Sequence, residues 1–327
     1  MPNTSPMSEF AGLPVVRFPE PGTRDDAPVP AAALDDPASV AWLLRTEEPD
    51  DYDEAHLSAY LERFVQAVDP SSVRAIVIGN IANDDYEFQA AAVRDRLTAL
   101  APRLSDLRAL FFGEVLQWEN ELSWIIQDDL APLVTAFPHL AEFTVRGTDG
   151  LGLDLGRHEH LRRLTVQSAG LPGRIVRDAA AAELPALEHL ELWLGTEDHG
   201  NDTTADDLAP VLSGEAFPGL RSLGLRNADG LDAWIPAVAT APVVAGLDTL
   251  DLSMGTLTDS GAEVLLAAPA VRGLRRLDLH GHFLSEEMTA RVRAEFTGAG
   301  VEVDVSDRRE PYMTRDGEAH YYPAVGE

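Results

Sequence analysis

Residues 247–279 read LDTLDLSMGTLTDSGAEVLLAAPAVRGLRRLDL, and this stretch decides the fold. Leu247, Leu250 and Leu252 stand in the spacing L-x-x-L-x-L, which Leu274, Leu277 and Leu279 repeat 27 residues later. The alternating end of that frame suits a short strand with one buried face, because side chains alternate across a strand. Between the frames, Thr258 to Ala267 carries apolar residues at helical spacing. A strand and a helix recurring at a period of about 20–29 residues predict stacked units, each burying its apolar face on its neighbours.

Outward from this stretch the frame recurs. Its first positions are Val73, Leu107, Leu140, Leu161, Leu187, Leu220, Leu247 and Leu274, spaced by 34, 33, 21, 26, 33, 27 and 27 residues. Val301–Val305 is a ninth, partial strand. Unequal spacings map onto the segments that follow each strand, where helices are expected over 86–100, 122–136, 172–182, 204–213, 231–240, 258–267 and 285–297. The 21-residue unit from Leu140 continues as GTDGLGLDLGRHEH and leaves no room for a helix. Ser285 with Glu286 and Glu287 supplies an oxygen cap and acids at the positive end of a helix dipole.

The flanks depart from the frame. Residues 1–72 are expected to form an N-terminal cap, 73–305 the repeat body, and 306–327 a C-terminal cap hairpin or tail. Within the first, 10–18 reads as a turn into a strand, 19–37 as a loop, and 40–46 as a second strand. A helix follows, with Leu57, Leu61, Phe64, Val65 and Val68 on one face. The run from Glu47 to Glu54 holds six acids in eight residues. It lacks the central glycine and closing glutamate of an EF-hand loop and reads as a solvated loop. Near the other end, Arg315–Glu318 is a turn between 312–314 and 319–322, a hairpin expected to cover the last strand's edge.

Composition narrows the function classes. Fifty-five acids against 25 bases give a formal charge of -30, so phosphate backbones and anionic lipid are repelled. Neither nucleic acid nor membrane is an expected partner. Every base is arginine, which removes Schiff-base and P-loop lysine chemistry, and the absence of cysteine removes disulfides, thiolate nucleophiles and Cys-ligated zinc. The opening MPNTSPMSEF has neither the basic nor the apolar region of a secretory leader. A cytoplasmic monomer is the expectation.

The units from Leu220 to Leu279 resemble the ribonuclease-inhibitor type of leucine-rich repeat. They share L-x-x-L-x-L, a following leucine (Leu257, Leu284), and Thr-Asp-x-Gly opening a helix at Thr258. The resemblance implies an α/β leucine-rich-repeat solenoid: a horseshoe arc with a parallel concave sheet, outer helices and non-repeat caps. The chain departs from it at the ninth frame position, where Asn or Cys is usual. Here that position holds Ile81, Val115, Thr148, Ala169, Gly195, Ala228, Gly255 and His282, so the turn peptides need other partners. On Gly12–Val15, Glu188–Thr196 and Leu250–Leu257 the whole chain is also similar to an uncharacterised bacterial leucine-rich-repeat family of high-GC genomes, a likeness that implies no activity.

In that architecture the third, fifth and seventh frame positions face the concave side. The first two strands offer Ala75, Val77 and Gly79, then Ala109, Phe111 and Gly113, an apolar stripe that the cap or the loops at 80–86 and 113–123 are expected to cover. Later strands offer Glu142, Arg146, Arg163, Gln167, Glu191, Trp193, Arg226, Asp251, Asp278 and His280. These ten are the candidate partner-binding residues, since arginine and tryptophan are enriched in binding hot spots. Pairing of the arginines with Glu142, Glu191 and Asp251 is the competing role. Asp278-x-His280-x-His282, with Asp251 on the preceding strand, offers an alternative metal or hydrolase-like site, although position 282 lies where the chain leaves the strand. No nucleophile-elbow, dinucleotide or paired-carboxylate motif accompanies it. Trp118 and Trp124 are expected to pack on the flank. The functional expectation is a non-catalytic scaffold that binds a protein partner, with no cofactor and no resident metal.

Overall fold

The computed structural model describes residues 5–20, 28–46, 54–81 and 88–326. Residues 47–53 of the acidic run, 21–27 of the expected loop and 82–86 of the expected covering loop lie outside them. The chain divides into two compact units, Asn3–Val166 and Gln167–Glu327. Each unit is α/β, a largely parallel sheet with helices.

In the N-terminal unit, β1 (Glu9–Phe10) pairs antiparallel with β2 (Leu13–Arg17) around a turn at Ala11 and Gly12, both at positive φ. Strands β3 (Ala41–Leu44), β4 (Ala75–Gly79), β5 (Ala109–Glu114) and β6 (Glu142–Arg146) follow in chain order, each parallel to the one before. Thus β2 and β3 belong to the same parallel sheet as the repeat strands, and the expected cap is two further strand units with poorer leucine spacing. Every residue of β3, β4 and β5 is buried, which is why these strands read as unbroken apolar runs.

The helices of this unit are α1 (Ala31–Asp35), α2 (Glu54–Ala67), α3 (Ala90–Leu100) and α4 (Ala131–Ala136). Leu57, Leu61, Phe64 and Val65 of α2 are buried as predicted, and Phe64 meets Phe18 and Trp42 edge-on at 5.2 and 5.5 Å. The helix expected over 122–136 forms only in its last turns. Leu122–Trp124 is a single 3₁₀ turn, and residues 126 and 129 instead bridge to Asp149 and Gly152. Pro132, which has no N–H to donate, is tolerated in a first turn and fixes the start of α4 at Ala131. As expected, the short unit after β6 has no helix.

Strand β7 (Arg163–Gln167) lies at the division between the units. In the C-terminal unit, β8 (His189–Gly195), β9 (Ser222–Ala228), β10 (Thr249–Asp251), β11 (Arg276–Asp278) and β12 (Glu302–Asp304) are parallel and in chain order. Their register aligns Leu190, Leu223, Leu250 and Leu277 in one buried row, so the frame and the pairing agree. Helices α5 (Gly173–Ala181), α6 (Ala205–Leu212), α7 (Leu231–Ala239), α8 (Asp259–Ala267) and α9 (Glu286–Gly298) match the predicted ones to within a residue. Acids at the helix openings also tie successive units together. Thr258 N donates to Asp232 Oδ1 at 2.9 Å, and Ser285 N donates to Asp259 Oδ1 at 2.8 Å.

The missing asparagine ladder is replaced by direct hydrogen bonds between the peptide groups of successive turns. Thr196 N, Asp229 N and Thr256 N donate to the carbonyls of Ala169, Gly195 and Ala228 at 2.8, 3.1 and 3.0 Å. So close an approach requires small residues: a Cβ on Gly195 would lie 1.7 Å from the Ala169 oxygen. His282 is the exception that keeps a side-chain bridge. Its Nδ1 accepts from Leu284 N at 3.0 Å, so Nε2 carries the proton and donates to Val305 O at 3.2 Å. His158 serves the short unit in the same way, between Leu161 N and Phe137 O, both at 3.1 Å. Burial pushes the pKa of both rings down and keeps them neutral.

Strands β13 (Tyr312–Met313) and β14 (Ala319–His320) form the predicted hairpin. It does not pair with β12, contrary to expectation. The strand's outer edge is instead protected by being three residues long and bearing Glu302 and Asp304. Among the described residues no helix is long and apolar enough to cross a membrane.

Candidate functional site

Across β3–β5 of the N-terminal unit, the sheet face bearing the third and fifth frame positions is apolar and covered. Ala41, Leu43, Ala75, Val77, Ala109 and Phe111 form one buried cluster with Phe10, and Met7, Leu13 and Val15 pack against it. The Phe10 and Phe111 rings lie 6.0 Å apart, so the segment before β2 covers the stripe as expected of a cap. Arg146 ends beside that stripe. Its guanidinium stands 5.3 Å over the Phe111 ring and donates to Val115 O at 3.0 Å, and burial pushes its pKa down to about 10. Arg146 is therefore a buried structural cation, not the partner-binding side chain predicted from its frame position. Nearby, Arg45 pairs with Glu119 and approaches Glu114 to 4.0 Å. Arg45 and Glu119 lie outside the frame, so no periodic signal marks this buried ionic group.

Glu142 and Arg163 meet at 3.6 Å with Arg163 half exposed, a pair worth little in water. Gln167 is half-buried at the end of β7. Trp118 and Trp124, expected to pack on the flank, are 68% and 67% exposed.

The remaining candidates come together in the C-terminal unit. The register aligns Glu191, Gly224, Asp251, Asp278 and Asp304 at the fifth frame position. Strands stand about 4.8 Å apart, so a row of acids would repel itself unless cations were set beside it. The cations come from the adjoining positions of the same strands, Arg276 on one side and Arg226 on the other, with the rings of His189 and His280 beside them.

Arg226 is the hub. Its Nη1 donates to Glu191 Oε1 at 3.1 Å and its Nε to Ser253 Oγ at 2.9 Å, with Asp251 Oδ2 at 3.4 Å. The guanidinium carbon stands 5.3 Å from the centre of the Trp193 ring, and the indole Nε1 donates to Glu191 Oε1 at 2.7 Å. Trp193 is thus half-buried and held by two partners, rather than displayed without a structural duty. Gly224 makes the arrangement fit, because a Cβ there would lie 3.1 Å from Glu191 Cγ. Absence of that carbon leaves Glu191 the room it occupies beside Arg226.

The carboxylates respond differently to one environment. Burial works to raise the Glu191 pKa, but the His189 ring, the Arg226 charge and the Trp193 N–H outweigh it and hold it at about 2. For Asp251 burial dominates, and the carboxyl is pushed up despite Arg226 and the bond from Ser253 N. Asp278, also opposed by burial, is held well below the usual range by His280 and Arg276. His280 in turn is raised by its 2.7 Å bond to Asp278 Oδ1.

The metal alternative changes membership. Ligand atoms of Asp278, His280 and Asp304 lie within 4.8 Å of one another, whereas Asp251 is not in the group and His282 is turned to Val305. Arg276 Nη2 already stands 2.9 Å from Asp278 Oδ2 and 3.8 Å from Asp304 Oδ2. A divalent ion there would displace that guanidinium and the His280 proton. Asp304 lies in the ninth, partial strand that the sequence predicts, and its register with Asp278 puts it at the fifth frame position.

No family model matches the chain, and no curated protein does. Among solved structures, the chain is similar to a Bacteroides fragilis protein described only as a structural-genomics target. The TM-score is 0.75 and the identity 27%, over 86% of this chain and 77% of that one. The likeness establishes a shared fold and carries no activity with it.

Proposed function

We propose that the chain is a non-catalytic leucine-rich-repeat module that binds a protein partner on the face of β8–β11. One observation carries this reading: Trp193 and Arg226, residue types that dominate binding hot spots, are fixed in place by Glu191, Asp251 and Ser253 while keeping a minor part of their surface exposed. Side chains held before contact lose less entropy on binding. Glu191, Asp251, Asp278 and His280 complete the surface, and the charge of -30 argues against nucleic acid and anionic lipid as the partner. The finer shape, an arc with this face concave, belongs to the same reading and rests on the repeat frame. Affinity purification with the wild-type chain, Trp193→Ala and Arg226→Ala in parallel tests it. A partner retained by the wild type and lost by both folded variants, at a cost on the order of 2 kcal/mol each, is the expected result. Identical recovery by all three would sink it.

A metal site at Asp278, His280 and Asp304 is the second reading, favoured by the convergence of their ligand atoms. Stoichiometric zinc or manganese in protein purified without chelator, lost in His280→Ala, would support it over the first.

A further inference from the structure

We infer that Asn227, Met254, Phe283 and Arg309 form a docking seat for an extended peptide segment, and that the chain's own residues 321–325 occupy it in this structure. The seat lies where the strands of the C-terminal unit end; it adjoins the carboxylate row, since Arg226 Nη2 stands 3.0 Å from Met254 Sδ, but the inference does not depend on that row binding anything.

Asn227 is fully buried, with the positive φ of 53° that few side chains adopt. Its amide makes two bonds to one residue of the returning chain. Nδ2 donates to Val325 O at 2.6 Å, and Val325 N donates to Oδ1 at 2.9 Å. A neighbouring strand would satisfy an extended residue in the same manner, so the amide recognises backbone and not side chain. One residue earlier, Ala324 N donates to Met254 O at 2.7 Å. Met254 also has positive φ, at 67°. At the far end Tyr321 packs edge-on against Phe283 with centroids 5.1 Å apart, and Arg309 Nη1 donates to Tyr322 O at 2.6 Å. The Arg309 guanidinium is itself 5.0 Å over the Phe283 ring.

Three features mark this as a built site rather than a tail at rest. The contacts follow the segment from Tyr321 to Val325 and cross the ends of successive units, from Phe283 and Arg309 through Met254 to Asn227. Pro323 and Val325 are buried, and Pro323 biases Tyr322 toward the extended conformation, which reduces the entropy lost on docking. Lastly, a buried amide stripped of both partners is costly, so Asn227 favours a filled seat over an empty one. The chemistry selects an extended segment with an aromatic residue four positions before a small β-branched one. With the seat filled in cis, a segment supplied in trans gains entry only in the fraction of molecules whose own segment is released.

A fluorescent peptide of residues 318–327 (EAHYYPAVGE) is the probe, titrated into the full chain and into a chain ending at His320. The shortened chain should bind it at least about tenfold more tightly than the full chain, because the internal competitor is gone. Asn227→Leu in the shortened chain should abolish binding while the protein stays folded. Should the shortened chain fail to fold, Val325→Pro in the full chain removes the N–H that Asn227 accepts, and that variant should admit the peptide instead. Equal affinity of full and opened chains would overturn the inference. So would binding that survives Asn227→Leu, or a folded opened chain that takes no peptide.

Discussion

The face of β3–β5 and the face of β8–β11 are built on the same strand frame, yet one is sealed and the other is partly open to solvent. In the first, Val77 and Phe111 are 0% and 2% exposed, because Phe10 and Met7 lie against them. In the second, equivalent positions carry Glu191, Asp251 and Asp278, interleaved with Arg226, Arg276 and His280. The apolar stripe expels water and takes a cover from its own chain. The polar row satisfies itself with ion pairs and needs no cover. Positions whose side chains face the helices thus fix the repeat, and those on the opposite face are free to make either a core or a surface.

Four measurements would break or sharpen that contrast. Phe111→Ala should have the largest effect, about 3–5 kcal/mol of stability in denaturant unfolding, the cost of emptying a packed aromatic site. A loss below about 1 kcal/mol would show that the stripe behaves as surface.

Acidification comes next. The Glu191 pKa is held at about 2, below its ordinary value of 4.5, so the stabilisation is fully present above the ordinary value. It is lost as pH falls toward 2, on the order of 2–3 kcal/mol in all. Glu191→Gln should flatten that limb of the stability profile. Asp251, shifted upward, has the opposite sign: its folded form takes up a proton more readily, so acid relieves a cost. Asp251→Asn should therefore make the acid limb steeper. An unchanged limb in both variants would mean that the row is effectively solvated.

Arg226→Ala should cost about 2 kcal/mol at neutral pH, since it leaves two mostly buried carboxylates without their shared cation. Arg226→Ala combined with Glu191→Gln should recover part of the loss, and a strictly additive double mutant would deny that the two are coupled. The smallest effect is expected from Trp193→Phe, which keeps the ring under Arg226 and removes only the bond to Glu191, about 1 kcal/mol. A drop of about 3 kcal/mol or more would place Trp193 in a core and make this face resemble the sealed one.

The repeat frame was legible because it is a local, periodic signal. Leu247, Leu250, Leu252 and their equivalents predicted the strands, the helices from α5 to α9, and the register that aligns Glu191 with Asp251 and Asp278. Where the leucine spacing weakens, so does the prediction: the sequence places β2 and β3 in a cap and residues 125–130 in a helix. Local spacing cannot foresee that Gly152 and Asp149 would supply bridges to that segment.

By itself the sequence determined the α/β repeat, the direction in which each frame position points, and the chemical contrast between an apolar first stretch and a charged later one. Only tertiary structure decided which of those side chains reach solvent. Arg146 and Trp193 occupy the same frame position, but one is stacked under cover beside Phe111 and the other is partly open to solvent beside Arg226. Only tertiary structure could show that residues 321–325 return to Asn227, 98 positions earlier in the chain. Burial and long-range hydrogen bonding depend on what the rest of the chain places overhead, and no periodicity within a strand carries that information.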